Sequence, residues 1–190
     1  MRLYVRSLIG TGFSIWSVAA MPASPATQVR KFHLNAPLAQ VFPLFTAQGE
    51  RAWAPGWEPR ILSGAEERGS AFITTAHDGS PVTWIVIDYR PAQGHASYAR
   101  LVQDSNIGIV DVACSQAGGG TDVSVRYTLT AVSEAGESFV AQFLSEQHYT
   151  TMIEEWRVAT SKALRLPVSG VEPAAQKVLT LSTPERGQPR

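Results

Sequence analysis

Apolar and polar side chains alternate along the second half of the chain. In Asp122–Ala131 every second residue is Val, Tyr, Leu or Ala, and the residues between them are polar. This period of two predicts a β-strand with one buried and one wet face, as in an antiparallel sheet covered on one side. Similar patterns, bounded by turn signals, predict six earlier strands. These are Thr27–Leu34, Arg60–Ser63, Ala71–His77, Val82–Tyr89, Ala96–Val102 and Ile107–Ser115.

The pattern changes to a helical one near the end of the chain. Glu137–Arg165 contains no Pro or Gly and consists mostly of good helix formers, which predicts one long helix. Its bulky residues recur every fourth position, so the apolar stripe winds around the helix and suits a twisted sheet. They are Val140, Leu144, His148, Met152 and Trp156. Two short helical segments, Pro37–Phe45 and Ala47–Trp53, are predicted after the first strand.

This order of elements predicts an α+β fold with its helices on one face of the sheet. We expect one domain over residues 27–166 and a disordered tail over 167–190, which is rich in Pro, Ser and Gln. Residues 1–26 combine Arg2 and Arg6 with a mildly apolar run and small residues. They are interpreted either as a secretory signal, which would place the protein in the periplasm or outside the cell, or as a disordered extension of a cytoplasmic protein.

Composition narrows the range of partners. Basic and acidic residues number 16 each and form no basic run, which argues against nucleic acid as a partner. The single cysteine, Cys114, excludes an internal disulfide, and the four histidines lie far apart in sequence, so we predict no metal and no cofactor. The apolar run near the N-terminus is too short to span a bilayer, so no stable membrane span is expected.

One linear motif resembles a known family. Phe42–Pro59 reads FPLFTAQGERAWAPGWEP, which is similar to the F-x-L-F-T-x-x-G-E-R-x-W-x-x-G-W-x-P run of a group of small bacterial proteins of the SRPBCC superfamily. Thr83–Trp84, the Gly118–Thr121 hairpin and Met152–Trp156 also match that group. The resemblance covers residues 27 to about 166. It implies a START or Bet v 1-like helix-grip fold, in which a curved antiparallel sheet of about seven strands wraps around a long C-terminal helix.

The resemblance also implies a cavity between sheet and helix, because members of the superfamily bind lipids, sterols and polyketides there. We expect aromatic and neighbouring side chains to line it, although the same residue types also fill ordinary cores. They are Trp53, Trp57, Phe72, Trp84, Tyr98, Tyr127, Phe143, His148, Met152 and Trp156.

Three polar features have two interpretations each. His148 is the only titrating side chain on the predicted buried ridge, so it is either a general base or a satisfied edge or core residue. Glu50 and Arg51 are either functional, as a gate pair or a polar contact to a ligand, or a solvated charged pair. Trp84 and Asp88 have the same parity in one strand, so either Trp84 is exposed or Asp88 lies near the pocket.

The sequence therefore predicts a protein, monomeric or homodimeric, that binds a small hydrophobic molecule such as a lipid, a polyketide or an aromatic compound. The alternatives are an enzyme of the polyketide cyclase/dehydratase type and, third, a co-chaperone-like interaction protein. No residue is placed by the sequence as a partner for His148, which argues against the enzyme.

Overall fold

The computed structural model describes residues 24–76 and 78–167. Seven antiparallel strands form one sheet in the order β1-β7-β6-β5-β4-β3-β2. They are β1 Ala26–Leu34, β2 Arg60–Ser63, β3 Ala71–Thr75, β4 Pro81–Arg90, β5 His95–Val102, β6 Asn106–Ala117 and β7 Gly120–Ala131. The helices are α1 Leu38–Val41, α2 Glu134–Phe143 and α3 Glu146–Ala163, with 3-10 turns at Phe42–Phe45, Gly49–Ala52 and Pro91–Gln93. The predicted α+β helix-grip class is confirmed. The predictions for residues 1–23 and 168–190 lie outside the described residues.

The core lies between the concave face of the sheet and the helices. Val123, Val125 and Leu129 of β7 are fully buried on this face, as the alternation predicted. Helix α3 packs along the edge strand β1, and α2 packs across β7 and β6. The convex face carries exposed apolar side chains in its middle, namely Ile85, Leu101, Ile107 and Ile109.

The prediction of one continuous C-terminal helix is wrong, because the helical stretch breaks at Leu144–Ser145. Ser145 is extended (φ −61°, ψ 145°), and its hydroxyl accepts a hydrogen bond from the His148 N–H at 3.4 Å, which caps α3. A serine side chain competes with the helix for such backbone donors and favours a cap. The break changes the phase of the helix, so that Leu144 and Tyr149 are both buried.

Helix α2 also begins earlier than predicted. The Ser133 hydroxyl accepts a hydrogen bond from the Gly136 N–H at 3.0 Å and so caps its first turn. A Cβ atom at Gly136 would lie 1.8 Å from the carbonyl oxygen of Ser105. Glycine is therefore required inside this helix by the close approach of the loop between β5 and β6, which the sequence pattern alone does not show.

A bulge in β4 resolves the parity of Trp84 and Asp88. The pairing of β4 with β5 shifts register between Val86 and Asp88, which inserts one residue and exchanges the two faces. Trp84 consequently lies buried on the concave face, and Asp88 lies on the convex face, where it bonds Arg90 at 2.8 Å. Both predicted alternatives are wrong, since each assumed an unbroken period of two.

Candidate ligand-binding site

The Phe42–Pro59 segment is a loop that crosses the concave face, and its small residues fix its path. The Thr46 hydroxyl donates to the Pro43 carbonyl at 3.0 Å and accepts from the Gly49 N–H at 3.1 Å. A Cβ atom at Gly49 would lie 1.8 Å from that same carbonyl oxygen. This tight turn requires glycine at position 49 and sets the direction of the next residue, Glu50.

Aromatic side chains stabilise the loop through their polar edges, two from within the loop and one from the sheet. The indole N–H groups of Trp53 and Trp57 donate to the carbonyls of Leu44 at 2.6 Å and Ala47 at 2.8 Å. From the sheet, the Tyr98 hydroxyl donates to the Phe45 carbonyl at 3.0 Å. Because these polar atoms are satisfied by the backbone, the ring faces remain as apolar walls.

One cluster of rings lies over β3, β4 and β5. Phe72 and Trp84 stack with centroids 5.8 Å apart, and Trp57 from the loop meets their edges at 6.2 Å and 5.9 Å. Tyr98 meets the edge of Phe72 at 6.4 Å. This cluster, called here the sheet cluster, closes one side of the concave face.

Two further clusters involve the helices. The loop residue Trp53 packs edge-on against Trp156 of α3 at 5.1 Å. Tyr127 of β7 packs edge-on against Phe143 at the end of α2 at 5.3 Å. The three clusters lie on the inner surface between sheet, loop and helices.

The structure brings most of the predicted site residues to this inner surface, but to different depths. Trp53, Phe72, Trp84, Tyr98 and Tyr127 are buried. A second group, which packs on the core but stays partly accessible, comprises Trp57, Phe143, Met152 and Trp156.

His148 is the exception among them. It is exposed, with its ring 5.6 Å from that of Phe143. The expectation that it lies on the buried ridge is wrong, because the break at Ser145 turns Tyr149 inward in its place. The Tyr149 hydroxyl donates to the Val125 carbonyl at 3.0 Å. His148 therefore has no geometric basis as a general base inside the domain.

Glu50 and Arg51 point in different directions. Arg51 faces outward, where it bonds the Pro59 carbonyl at 3.1 Å and lies 3.4 Å from Glu58. Glu50 is surrounded by protein, and this desolvation raises its pKa to about 8. The residue nevertheless remains partly exposed to solvent. The interpretation of the two residues as one solvated pair is therefore wrong for Glu50.

The Glu50 carboxyl lies close enough to two tyrosines of the sheet to influence their pKa values. Burial first, and the nearby Glu50 carboxylate second, raise the pKa of Tyr98 and of Tyr127. Within residues 24–76 and 78–167, no hydrogen bond or ion pair engages the Glu50 carboxyl or the Tyr127 hydroxyl. Both groups are thus free to bond a molecule on the inner surface.

Arg100 is a second interior polar residue, and the sequence reasoning missed it. It lies on β5 with the parity of Tyr98 and Val102, and only 7% of its surface is exposed. Its guanidinium donates to the Asn106 side-chain oxygen and lies over the rings of Trp84 at 5.8 Å and Phe139 at 5.9 Å. The alternation of β5 contains the signal that could have found it, since Arg100 occupies an inward position.

Two clefts elsewhere on the surface contain none of the predicted site residues. One of about 260 Å³ lies between the end of β1 and the C-terminal part of α3, lined by residues including His33 and Arg157. The other, of about 200 Å³, lies on the convex face beside His95, Asp111 and Arg126. Among the described residues, no group of three or more His, Cys, Asp or Glu side chains is arranged to hold a metal ion. Over the same residues, every helix is too short or too polar to cross a membrane.

A curved seven-stranded sheet that holds C-terminal helices against its concave face, with an aromatic inner surface, defines the Bet v 1-like helix-grip class of folds. The crystal structure of Ara h 8.0201 is similar to this chain at 16% identity and a TM-score of 0.60, covering 75% of this chain and 99% of that one. Norcoclaurine synthase from Thalictrum flavum is similar at 12% identity and a TM-score of 0.58, covering 85% and 99%. An uncharacterized protein from Rhizobium leguminosarum is similar at 16% identity and a TM-score of 0.55, covering 74% and 97%. No protein-family model and no curated protein matches the sequence.

Proposed function

We propose that this protein binds a small hydrophobic molecule between the concave face of its sheet and the two C-terminal helices. The observation that carries the proposal is the group of inner side chains that pack on the core yet stay partly accessible, namely Trp57, Phe143, Met152 and Trp156. In an ordinary core such residues are close-packed on all sides. A partly accessible apolar wall with a few polar groups is the usual composition of a small-molecule site.

The position of these residues explains how a ligand would be held. They come from the loop, from α2 and from α3, and the three aromatic ones each touch a buried ring of the sheet or the loop. A bound molecule would insert between these residues, so that contacts between the rings and the ligand would replace ring–ring contacts within the protein. The fold is consistent with this role, as is the structure of Thalictrum flavum norcoclaurine synthase in complex with dopamine and hydroxybenzaldehyde.

The first test is native mass spectrometry of the purified full-length protein, followed by titration with a naphthalene sulfonate dye. We expect saturable dye binding with a stoichiometry of one. Met152→Ala should weaken binding severalfold, because Met152 lies on the inner surface and its truncation disturbs no hydrogen bond. Leu101→Ala is the matched control, because Leu101 is an exposed aliphatic residue of the convex face. If Leu101→Ala weakens the dye and Met152→Ala does not, the dye binds outside and the proposal fails.

A second candidate is an enzyme in which Glu50 is the acid or base, and one observation favours it. A carboxyl whose pKa is about 8 can both hold and release a proton near neutral pH, which general acid–base chemistry requires. Tyr127 lies near it, and its hydroxyl can donate a hydrogen bond to a substrate oxygen. This candidate predicts turnover of polyketide-like aldol or dehydration substrates that Glu50→Gln abolishes without loss of substrate binding. Turnover that persists in Glu50→Gln would exclude it.

A further inference from the structure

The interior of the domain contains a positive charge without a carboxylate partner. Arg100 lies on the concave face between Tyr98 and Val102, and it pairs across the sheet with Trp84 on one side and Gly108 on the other. The Arg100 guanidinium is therefore held between the concave face of the sheet and the helices, and not at the edge of the sheet.

The bonds that the protein itself makes to this guanidinium are few. The Asn106 side-chain oxygen accepts one hydrogen bond, and Asn106 is in turn oriented by its own bond to the Ser105 hydroxyl at 2.8 Å. Trp84 and Phe139 offer ring faces. A guanidinium has five N–H donors in a planar fork that fits a carboxylate. Within residues 24–76 and 78–167, no carboxylate forms an ion pair with it.

The interior carboxyl, Glu50, does not neutralise this charge. Burial alone raises the pKa of Glu50, with no opposing contribution from Arg100. Burial lowers the pKa of Arg100, but an arginine stays protonated in proteins. A buried charge without a counter-charge is strongly unfavourable, and it is retained most readily where a ligand supplies the opposite charge.

Tyr127 extends the polar surface from Arg100 toward Glu50. Its pKa is raised by burial and by Glu50, and the Arg100 charge lowers it, so the hydroxyl is electrostatically coupled to both groups. Tyr127 also packs on Phe143 at 5.3 Å, which places an apolar wall beside the polar groups. A ligand anion on Arg100 would therefore have a neutral donor, the Tyr127 hydroxyl, close to its apolar body.

We propose that the bound molecule is a monoanionic amphiphile whose single carboxylate or phenolate is held by Arg100 while its apolar body lies on the aromatic clusters. This rests on the proposed binding function and specifies its ligand. A group with two negative charges, such as a phosphate monoester, would need a second cation. The other inward-facing arginine near the helices, Arg30, is engaged by Glu146 and by Thr150.

Matched acid and alcohol pairs test the proposal on the full-length wild-type protein by calorimetry or intrinsic tryptophan fluorescence. Naphthoic acid is compared with naphthalenemethanol, and decanoic acid with decanol, so that aromatic and fatty sources of the same chemistry are distinguished. We expect at least one acid to bind about tenfold or more tightly than its alcohol, since a charge-assisted bidentate bond is stronger than a neutral one.

Variants then assign the preference to Arg100. Arg100→Met should bring acid and alcohol within about threefold of each other while the alcohol still binds, and Arg100→Lys should retain part of the preference. Arg126→Met is the control, because Arg126 is an exposed arginine of the same sheet on the convex face. If Arg126→Met removes the acid preference instead, the acid binds in the convex cleft and the proposal is overturned.

The wild-type comparison keeps the test decisive even if Arg100→Met does not fold. Saturable binding of acid and alcohol with equal affinity would leave the binding function standing and overturn the assignment of an anionic ligand. Failure of all four compounds to bind saturably would overturn both.

Discussion

Replacing Glu50 by glutamine should change how the stability of the protein depends on pH. Burial raises the folded-state pKa of Glu50 from 4.5 to about 8. Between these two pH values the folded chain keeps a proton that the unfolded chain releases. The stabilising effect of the bound proton is fully present below the unfolded pKa and is lost as pH rises through the folded pKa. Glutamine does not ionise, so Glu50→Gln lacks this loss.

The magnitude follows from the linkage of one proton. One proton more in the folded than in the unfolded state gives a slope of about 1.4 kcal/mol per pH unit. The Glu50 side chain remains partly accessible, so hydration reduces this ceiling. We expect the variant to gain about 1–2 kcal/mol over the wild type between pH 5 and pH 8. The tyrosines beside it, Tyr98 and Tyr127, have pKa values raised above their ordinary range and contribute nothing in this interval.

The assay is urea unfolding of the wild type and of Glu50→Gln at pH 5, 6, 7 and 8, with the difference in unfolding free energy plotted against pH. Histidine titrations are common to both proteins and cancel in that difference. Glu58→Gln is the control, because Glu58 belongs to the same loop and its side chain is 78% exposed. A difference that stays flat, or that favours the wild type at pH 8, would show that the carboxylate is solvated or paired and would refute the reasoning.

Three further outcomes are expected. Leu129→Ala should lower the free energy of unfolding by about 2–5 kcal/mol, because Leu129 is fully buried. Trp156→Ala should lower it by only about 1–2 kcal/mol, because Trp156 is partly accessible and already lacks packing partners on one side. Equal or reversed losses in urea unfolding would argue for a fully packed Trp156. Ser145→Ala should lower stability by about 1 kcal/mol through loss of the α3 cap, whereas Ser145→Asp should retain it, and identical unfolding midpoints would show that the cap is unimportant. The Cys114 thiol, which is 3% exposed and has its pKa raised by burial to about 12, should react with a thiol reagent only after unfolding, and rapid labelling of the native protein would contradict its burial.

The sheet could be predicted from sequence because its two faces differ in chemistry. In β7 the inward positions are apolar and the outward ones polar, so the period of two is visible without any tertiary information. The bulge between Val86 and Asp88 could not be predicted in this way. Whether the bulge is favourable depends on how β4 pairs with β5. This is a property of the two strands together, and the pattern of one strand does not contain it.

The helix break was missed because serine is tolerated inside helices and carries only a weak local signal. What decides the break is the burial of Leu144 and Tyr149 on the same side, which a straight helix of that sequence would not give. The consequence for the site is direct. His148 appeared inward only because the phase of α2 was continued through Ser145 into α3.

The aromatic residues of the site were found because large rings accumulate wherever an inner surface exists, but their type does not distinguish a wall from a core. The interior charges do distinguish a ligand-binding wall from a core, but the sequence pattern did not reveal them. Arg100 is a charged residue in a strand, which by composition alone is typical of a wet face. Glu50 is followed by an arginine, which is typical of a solvated pair. Only the turn at Thr46–Gly49 and the inward parity of β5 direct them into the domain.

The relation between these two interior groups bears on the choice between carrier and enzyme. If Glu50 and Arg100 formed an ion pair with each other, both would be explained as structural elements. They do not, and Tyr127 is coupled to both. A neutral Glu50 and a fixed cation at Arg100 are sufficient for binding, because they can recognise one acceptor and one anion without changing protonation. Catalysis requires in addition that Glu50 exchange its proton while the ligand is bound. Binding of an acidic ligand that is lost in Arg100→Met, with no turnover of that ligand by the wild type, would therefore favour the carrier, whereas turnover that Glu50→Gln abolishes would favour the enzyme.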